Sequence, residues 1–176
     1  MRLIGHILSL LLLPVCLTSI GCGTSNQSTV SSDLDPLLIV PKERVGLIQA
    51  GMTLAEIETL LGPSENPSFG SGKQRRAYPK LGLTLHLTSD GSKTLKSVHC
   101  GSDAPKEALV NNCKHSTIEE IGIGSSRDEV TNAYGPPSKI KTDWFGPTPE
   151  EGLYYESLGL RFLVTKGKIH GIIVFL

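Results

Sequence analysis

Aromatic residues are scarce: nine in 176, with a single tryptophan. That scarcity argues against a large aromatic-rich recognition face, since such faces rest on Trp and Tyr anchors. Charge of one sign is lacking as well, with 17 basic against 17 acidic side chains. A nucleic-acid footprint needs a clearly basic face, so no nucleic-acid partner is expected. Catalytic signatures are missing too: there is no Gly-x-Ser-x-Gly elbow, no Walker motif and no His-Glu-x-x-His. Gly70-Ser-Gly-Lys73 lacks the upstream glycine of a phosphate loop, and His86 and His170 have no carboxylate or nucleophile at readable spacing. A non-catalytic protein without cofactor or metal is therefore the expectation. No apolar run approaches the roughly 20 residues of a retained membrane helix.

What the chain does have begins at its first residues. Arg2 precedes an apolar stretch, densest over Ile7–Val15, which is broken by His6 and Pro14 at its margins and ends in small residues at Ser19 and Gly21. This is the layout of a secretory signal peptide over residues 1–21. Ser19-Ile20-Gly21-Cys22 resembles a bacterial lipobox, with Ser in the place of the usual Leu. Cysteine parity points the same way. Cys16 leaves with the signal, and lipidation of Cys22 leaves Cys100 and Cys113 as an even pair in an oxidising compartment. The polar tract from Gly23 to Asp33 cannot pack a core and suits a tether, expected to span residues 22–41. Gly23 after the lipidated cysteine, by resemblance to bacterial sorting rules, implies the outer membrane, facing the periplasm.

The ordered part is a two-fold repeat. Gly51–Ser64 (GMTLAEIETLLGPS) aligns with Gly124–Pro137 (GSSRDEVTNAYGPP) at an offset of 73, and Tyr78–Leu83 (YPKLGL) aligns with Tyr155–Leu160 (YESLGL) at 77. In each copy a hydroxyl residue, Thr53 or Ser126, stands three residues before Glu56 or Glu129, which is a capping box. Leu54, Ile57, Leu60 and Leu61 form a helical apolar stripe, and Gly62-Pro63 and Gly135-Pro136 stop the two helices. A shorter helix is expected before each, over Pro41–Ile48 and Ser116–Ile121, the latter on a second Ser-x-x-Glu box. Strands are expected over Gln74–Tyr78, Leu83–Thr88 and Leu95–Val98, and over Gly152–Glu156, Leu160–Val164 and Ile169–Leu176. The expected fold is α+β: two tandem helix–helix–three-strand repeats, each with its helices packed on one face of an antiparallel sheet. Repeat 1 spans 42–100, a linker 101–115 and repeat 2 116–176.

The glycine, the hydroxyl residue two places on, the short helix, Leu-Gly-Pro or Tyr-Gly-Pro-Pro, and the three-stranded meander together resemble the SmpA/OmlA (BamE-type) lipoprotein domain, here in tandem. The paired arrangement is also similar to the β-lactamase inhibitory protein architecture. The first resemblance implies a scaffold acting through protein contacts, in outer-membrane protein assembly or envelope maintenance, with envelope proteins as partners and a lipid anchor in the membrane. The second implies an alternative, an exported inhibitor of an enzyme.

Cys100 and Cys113 have His99 and His115 beside them, so a Cys2His2 metal site competes with a disulfide; export favours the disulfide. Lys73-Gln-Arg-Arg76 is a basic cluster, read as a solvated loop or an edge-strand guard. Trp144 and Phe145 lie in Asp143–Pro149, rich in Gly and Pro, and have no counterpart in the helix or strand frame of the first copy, whose own Phe69 sits in a shorter loop. They are the candidate partner-binding residues, with Trp144 as anchor.

Overall fold

The computed structural model describes residues 34–65, 74–101, 113–144 and 149–176. The expected signal peptide, Cys22, most of the tether, Phe69, Lys73 and Phe145 lie outside the described residues. Where the tether was expected to run to Pro41, Leu38–Val40 is already a strand, β1.

The two capping boxes form helices α1 (Leu54–Leu61) and α2 (Arg127–Tyr134). Thr53 accepts from the Glu56 backbone N–H at 3.4 Å, and the Glu56 carboxylate accepts from the Thr53 N–H at 2.8 Å. Ser126 and Glu129 repeat the exchange. Each helix ends on a glycine with positive φ, +86° at Gly62 and +75° at Gly135, which a side chain would resist.

Further hydrogen bonds recur copy by copy. The Leu54 and Arg127 N–H groups donate to Lys93 and Gly167, and those of Leu95 and Ile169 donate to Met52 and Ser125. These bonds tie each helix entrance to a hairpin. At the other end the Tyr78 hydroxyl donates to the Gly62 carbonyl at 3.1 Å, and Tyr155 to Gly135 at 2.9 Å. Finally, after each tyrosine a single 3-10 turn ends on a left-handed glycine, Gly82 or Gly159, whose carbonyl accepts from Gly101 or Phe175.

The expected fold class is nevertheless wrong. The chain is mostly β, with two helices among the described residues, one per copy. The segments expected as first helices are extended. Arg44–Val45 (β2) hairpins back on β1 and Ile48–Gln49 (β3) on β2, and Ser116–Thr117 (β7) pairs with β1 in parallel, giving a small sheet in the order β3-β2-β1-β7. Neither segment meets the cost of helix nucleation from its own hydrogen bonds: Pro41–Ile48 has the length of α1 and α2 but no capping box, and Ser116–Ile121 is shorter than either. Left-handed turns interrupt them, at Lys42 and Gly46 in the first and at Glu120 in the second. The Ser116 box does not form; Thr117 closes a tight turn instead, its N–H donating to Ile121 at 2.9 Å.

The repeats do not keep separate sheets either. Strands β4 (Arg75–Tyr78), β5 (Leu83–Leu87) and β6 (Leu95–Gly101) join β8 (Lys139–Trp144), β9 (Pro149–Tyr155), β10 (Leu160–Thr165) and β11 (Lys168–Phe175). Together they make one antiparallel sheet of seven strands, in the order β4-β5-β6-β11-β10-β9-β8. The last strands of the two copies are the seam, with Val98 opposite Val174 and Cys100 opposite Ile172.

One face of this sheet carries the core. Leu85, Val98, Leu153, Phe162, Ile172 and Val174 are fully buried there, and so are Ile57 of α1, Val130 of α2, and Ile39 and Val45 of the small sheet, all in a single cluster. Tyr134, Tyr155 and Phe162 close the α2 end, with ring centroids 5.6–5.8 Å apart. Such a trio adds about 0.5–1.5 kcal/mol per pair beyond its buried area. No described helix is long and apolar enough to cross a membrane.

Candidate functional site

The strict alternation of the strands sends a second set of side chains to the opposite face of the large sheet. One register row runs across it through Lys139, Tyr154, Arg161, Ile173, His99, Thr84 and Ala77. A parallel row contains Lys141, Gly152, Leu163, Gly171 and Gly101. Leu163 belongs to this face: it is buried but stands outside the core cluster.

Copy two contributes a cation-flanked aromatic here. The Arg161 guanidinium lies 4.6 Å from the Tyr154 ring centroid and the Lys141 ammonium 5.7 Å from it. Gly152 makes the stacking possible, since a Cβ at that position would stand 2.8 Å from Arg161 Nε. Next to this group His170 Nε2 meets the Glu150 carboxylate at 2.9 Å.

Towards the seam His99 is buried above Gly171, where a Cβ would come within 2.7 Å of its Nε2. Burial first, then the neighbouring His86, His170, Arg75 and Arg161, push the His99 pKa down to about 3. His99 is therefore a neutral imidazole at any ordinary pH. It also faces away from Cys100, its neighbour in β6, so the set His99, Cys100, Cys113 and His115 does not converge. Cys100 and Cys113 are joined by a disulfide with Cα atoms 5.6 Å apart. His115 is the histidine that lies beside it, with Nδ1 3.4 Å from Cys113 Sγ.

Trp144 does not sit in a loop. Its backbone ends β8 and pairs with Pro149 at the start of β9, so the expected Asp143–Pro149 loop begins and ends in paired strand, and residues 145–148 lie outside the described residues. The first copy shows the root of the same hairpin, because Glu65 bridges Ala77 as Lys139 pairs with Tyr154. Of the basic cluster, Arg75 and Arg76 lie on β4, at one edge of the sheet, where cations discourage unwanted strand pairing. Tyr154, Arg161 and Lys141 were missed by sequence reasoning; the alternation of Leu160–Val164 put Arg161 on the outer face, but only the register with β9 sets it over Tyr154.

No family model matches the chain, and no curated protein matches it. Among solved structures it is similar to a DUF4309 family protein, YjgB, from Bacillus subtilis, at 12% identity over 70% of this chain and 77% of that one, with a TM-score of 0.44. A likeness this loose carries no argument about function.

Proposed function

We propose that the protein is an exported, lipid-anchored, non-catalytic scaffold that binds another envelope protein, in outer-membrane protein assembly or envelope maintenance. The observation that supports this reading is the outer face of copy two, where Tyr154 is flanked by Arg161 and Lys141 beside the β8–β9 hairpin that carries Trp144. Tyr, Trp and Arg are the residue types that dominate binding energy at protein interfaces. Lys139 and Lys141 are exposed at the rim of this group, which favours an acidic partner surface. Copy one has Ala77 and Thr84 at the register positions that Tyr154 and Arg161 hold in copy two, so this aromatic–cation group is particular to copy two. Cys22, by its lipobox resemblance, would hold the module at the membrane.

The test is capture of the tagged protein from crosslinked envelopes, followed by affinity and melting measurements on Trp144→Ala and Tyr154→Ala. Recovery of barrel-assembly subunits supports the scaffold reading, and recovery of one soluble hydrolase supports the inhibitor instead. Loss of a desolvated anchor costs about 2 kcal/mol, or roughly thirty-fold in affinity. Unchanged affinity in folded Trp144→Ala protein removes Trp144 from the interface. An unmodified Cys22 in the mature protein, read by mass spectrometry, would end the anchor claim.

A further inference from the structure

The disulfide and its histidine are better organised than a crosslink requires. Cys100 lies on β6, a central strand of the large sheet, and Cys113 lies just before β7 of the small one. Cys100, Cys113 and His115 are all buried, and their three potential ligand atoms lie within 4.8 Å of one another.

The His115 imidazole lies against the Pro36 carbonyl on its Nε2 side: a Cβ built on Gly46 would meet Pro36 O at 2.3 Å and His115 Nε2 at 2.9 Å. A carbonyl only accepts, so Nε2 carries the proton. Nδ1 therefore keeps its lone pair, and that lone pair is the one 3.4 Å from Cys113 Sγ.

The carbonyl that sets this tautomer is itself braced. Buried Arg44 donates from Nη1 to Asp35 O and to Gly46 O, both at 3.0 Å, which fixes the chain on either side of the His115 contact. A disulfide sulfur has no hydrogen to give to Nδ1, so in the oxidised protein this arrangement satisfies nothing. A neutral imidazole with one N–H tied to a backbone carbonyl and the other nitrogen bare beside two sulfurs is how proteins present histidine to a metal.

We infer that the reduced form of Cys100 and Cys113, together with Nδ1 of His115, is a buried site for a thiophilic divalent cation of the zinc type. In a tetrahedral zinc site with bonds of about 2.3 Å to sulfur and 2.0–2.1 Å to nitrogen, adjacent S and N ligands stand about 3.5 Å apart. Cys113 and His115 already hold that spacing; the two sulfurs must part, and Cys100 Sγ, within 4.8 Å of the imidazole, must settle at the same distance from it. The chemistry is balanced by a dithiol reductant. It gives two electrons and two protons to the disulfide, becoming a disulfide itself, and the cation then displaces the two thiol protons. Cation and disulfide exclude each other, so the chain carries the metal only before oxidation or after reduction.

The test uses the full chain with Cys16→Ala and Cys22→Ala, which leaves Cys100 and Cys113 as its only thiols. Co2+ is the probe, because thiolate ligation gives an intense near-ultraviolet charge-transfer band and visible bands diagnostic of tetrahedral geometry. After reduction with a phosphine the protein should bind one Co2+ with both signatures, and Zn2+ should abolish them. The oxidised protein should show neither. His115→Ala should keep the circular dichroism of the oxidised fold at a lowered Tm, since a buried imidazole is lost, yet bind Co2+ about ten-fold or more weakly once reduced. Absence of the charge-transfer band from that reduced chain with His115 intact, folded or not, overturns the inference. So does equal Co2+ affinity in His115→Ala, or a signal from the oxidised chain.

Discussion

Replacing Tyr155 by Phe removes one oxygen and nothing else from the structure, and its cost can be worked out in advance. The ring is 4% exposed and packs against Tyr134 and Phe162, contacts that Phe keeps. What is lost is the 2.9 Å hydrogen bond from the hydroxyl to the Gly135 carbonyl. That carbonyl belongs to the C-terminal end of α2, where acceptors have no partner within the helix. A buried acceptor left empty would cost 1–3 kcal/mol, but Gly135 is only partly buried, so water can reach the freed oxygen. The net loss should thus be that of one neutral hydrogen bond, about 1 kcal/mol, or roughly 3–5 °C in Tm for a domain of this size. Tyr78→Phe should cost the same, because Tyr78 makes the equivalent bond to Gly62 at 3.1 Å and is 6% exposed. The two bonds share no partner, so the double variant should lose the sum. Urea unfolding measures both quantities: the midpoint should fall while the slope m stays constant. A loss below about 0.3 kcal/mol in either variant would show that water replaces the hydroxyl and that the tyrosines are held by packing alone. A changed slope would show that the substitution altered more than one bond.

Gly46→Ala should be among the most damaging single substitutions, since φ is +57° and the added Cβ would stand 2.3 Å from Pro36 O. Gly51→Ala, at φ +80° with nothing within 4 Å, carries only the backbone strain of about 1–2 kcal/mol, so thermal melting should rank the two far apart; equal losses would mean that space at Gly46 is not limiting. Acid should destabilise the protein through His99, whose folded pKa of about 3 lies below the unfolded value of about 6.5. Its contribution is complete above pH 6.5 and is lost as pH falls, at a slope of up to about 1.4 kcal/mol per pH unit. His86 and His115 shift in the same direction by burial, so His99→Gln should flatten, not abolish, the loss between pH 6.5 and 4.5; an unchanged slope would refute the assignment. At the alkaline end, burial raises Tyr78, Tyr134 and Tyr155, so the stability they hold below pH 10 should fall away above it, and Tyr134→Phe should lessen that fall in melting curves taken from pH 9 to 11.

How far the fold can be read from residues alone depends on how local each instruction is. The capping boxes at Thr53 and Ser126 act within four residues, and both helices form where those residues place them. Leu83, Leu85 and Leu87 alternate without help from other parts of the chain, and that strand lies on the core face as the alternation requires. Ser116-x-x-Glu119 is an equally good local signal, and it loses. Ser116 has a strand partner in Leu38, far off in sequence, and a parallel ladder outweighs a short helix that buries nothing. Lys139–Trp144 went unseen although Ile140, Thr142 and Trp144 alternate with Lys139, Lys141 and Asp143, because the prolines at 136 and 137 and the Gly-Pro pair beyond made the segment look like one long loop. The candidate site is less legible still. Nothing near Tyr154 in sequence announces Arg161; the register of β9 against β10 brings them together, and Gly152 leaves room for the guanidinium. Nothing near His115 announces Pro36, which reaches it through a turn braced by Arg44. The repeat itself conceals the last step. Two copies read along the chain suggest two sheets, but an exposed last strand in each would be an unpaired edge. Pairing β6 with β11 removes both edges at once, and it also sets His99 beside Gly171, a contact that neither copy contains alone.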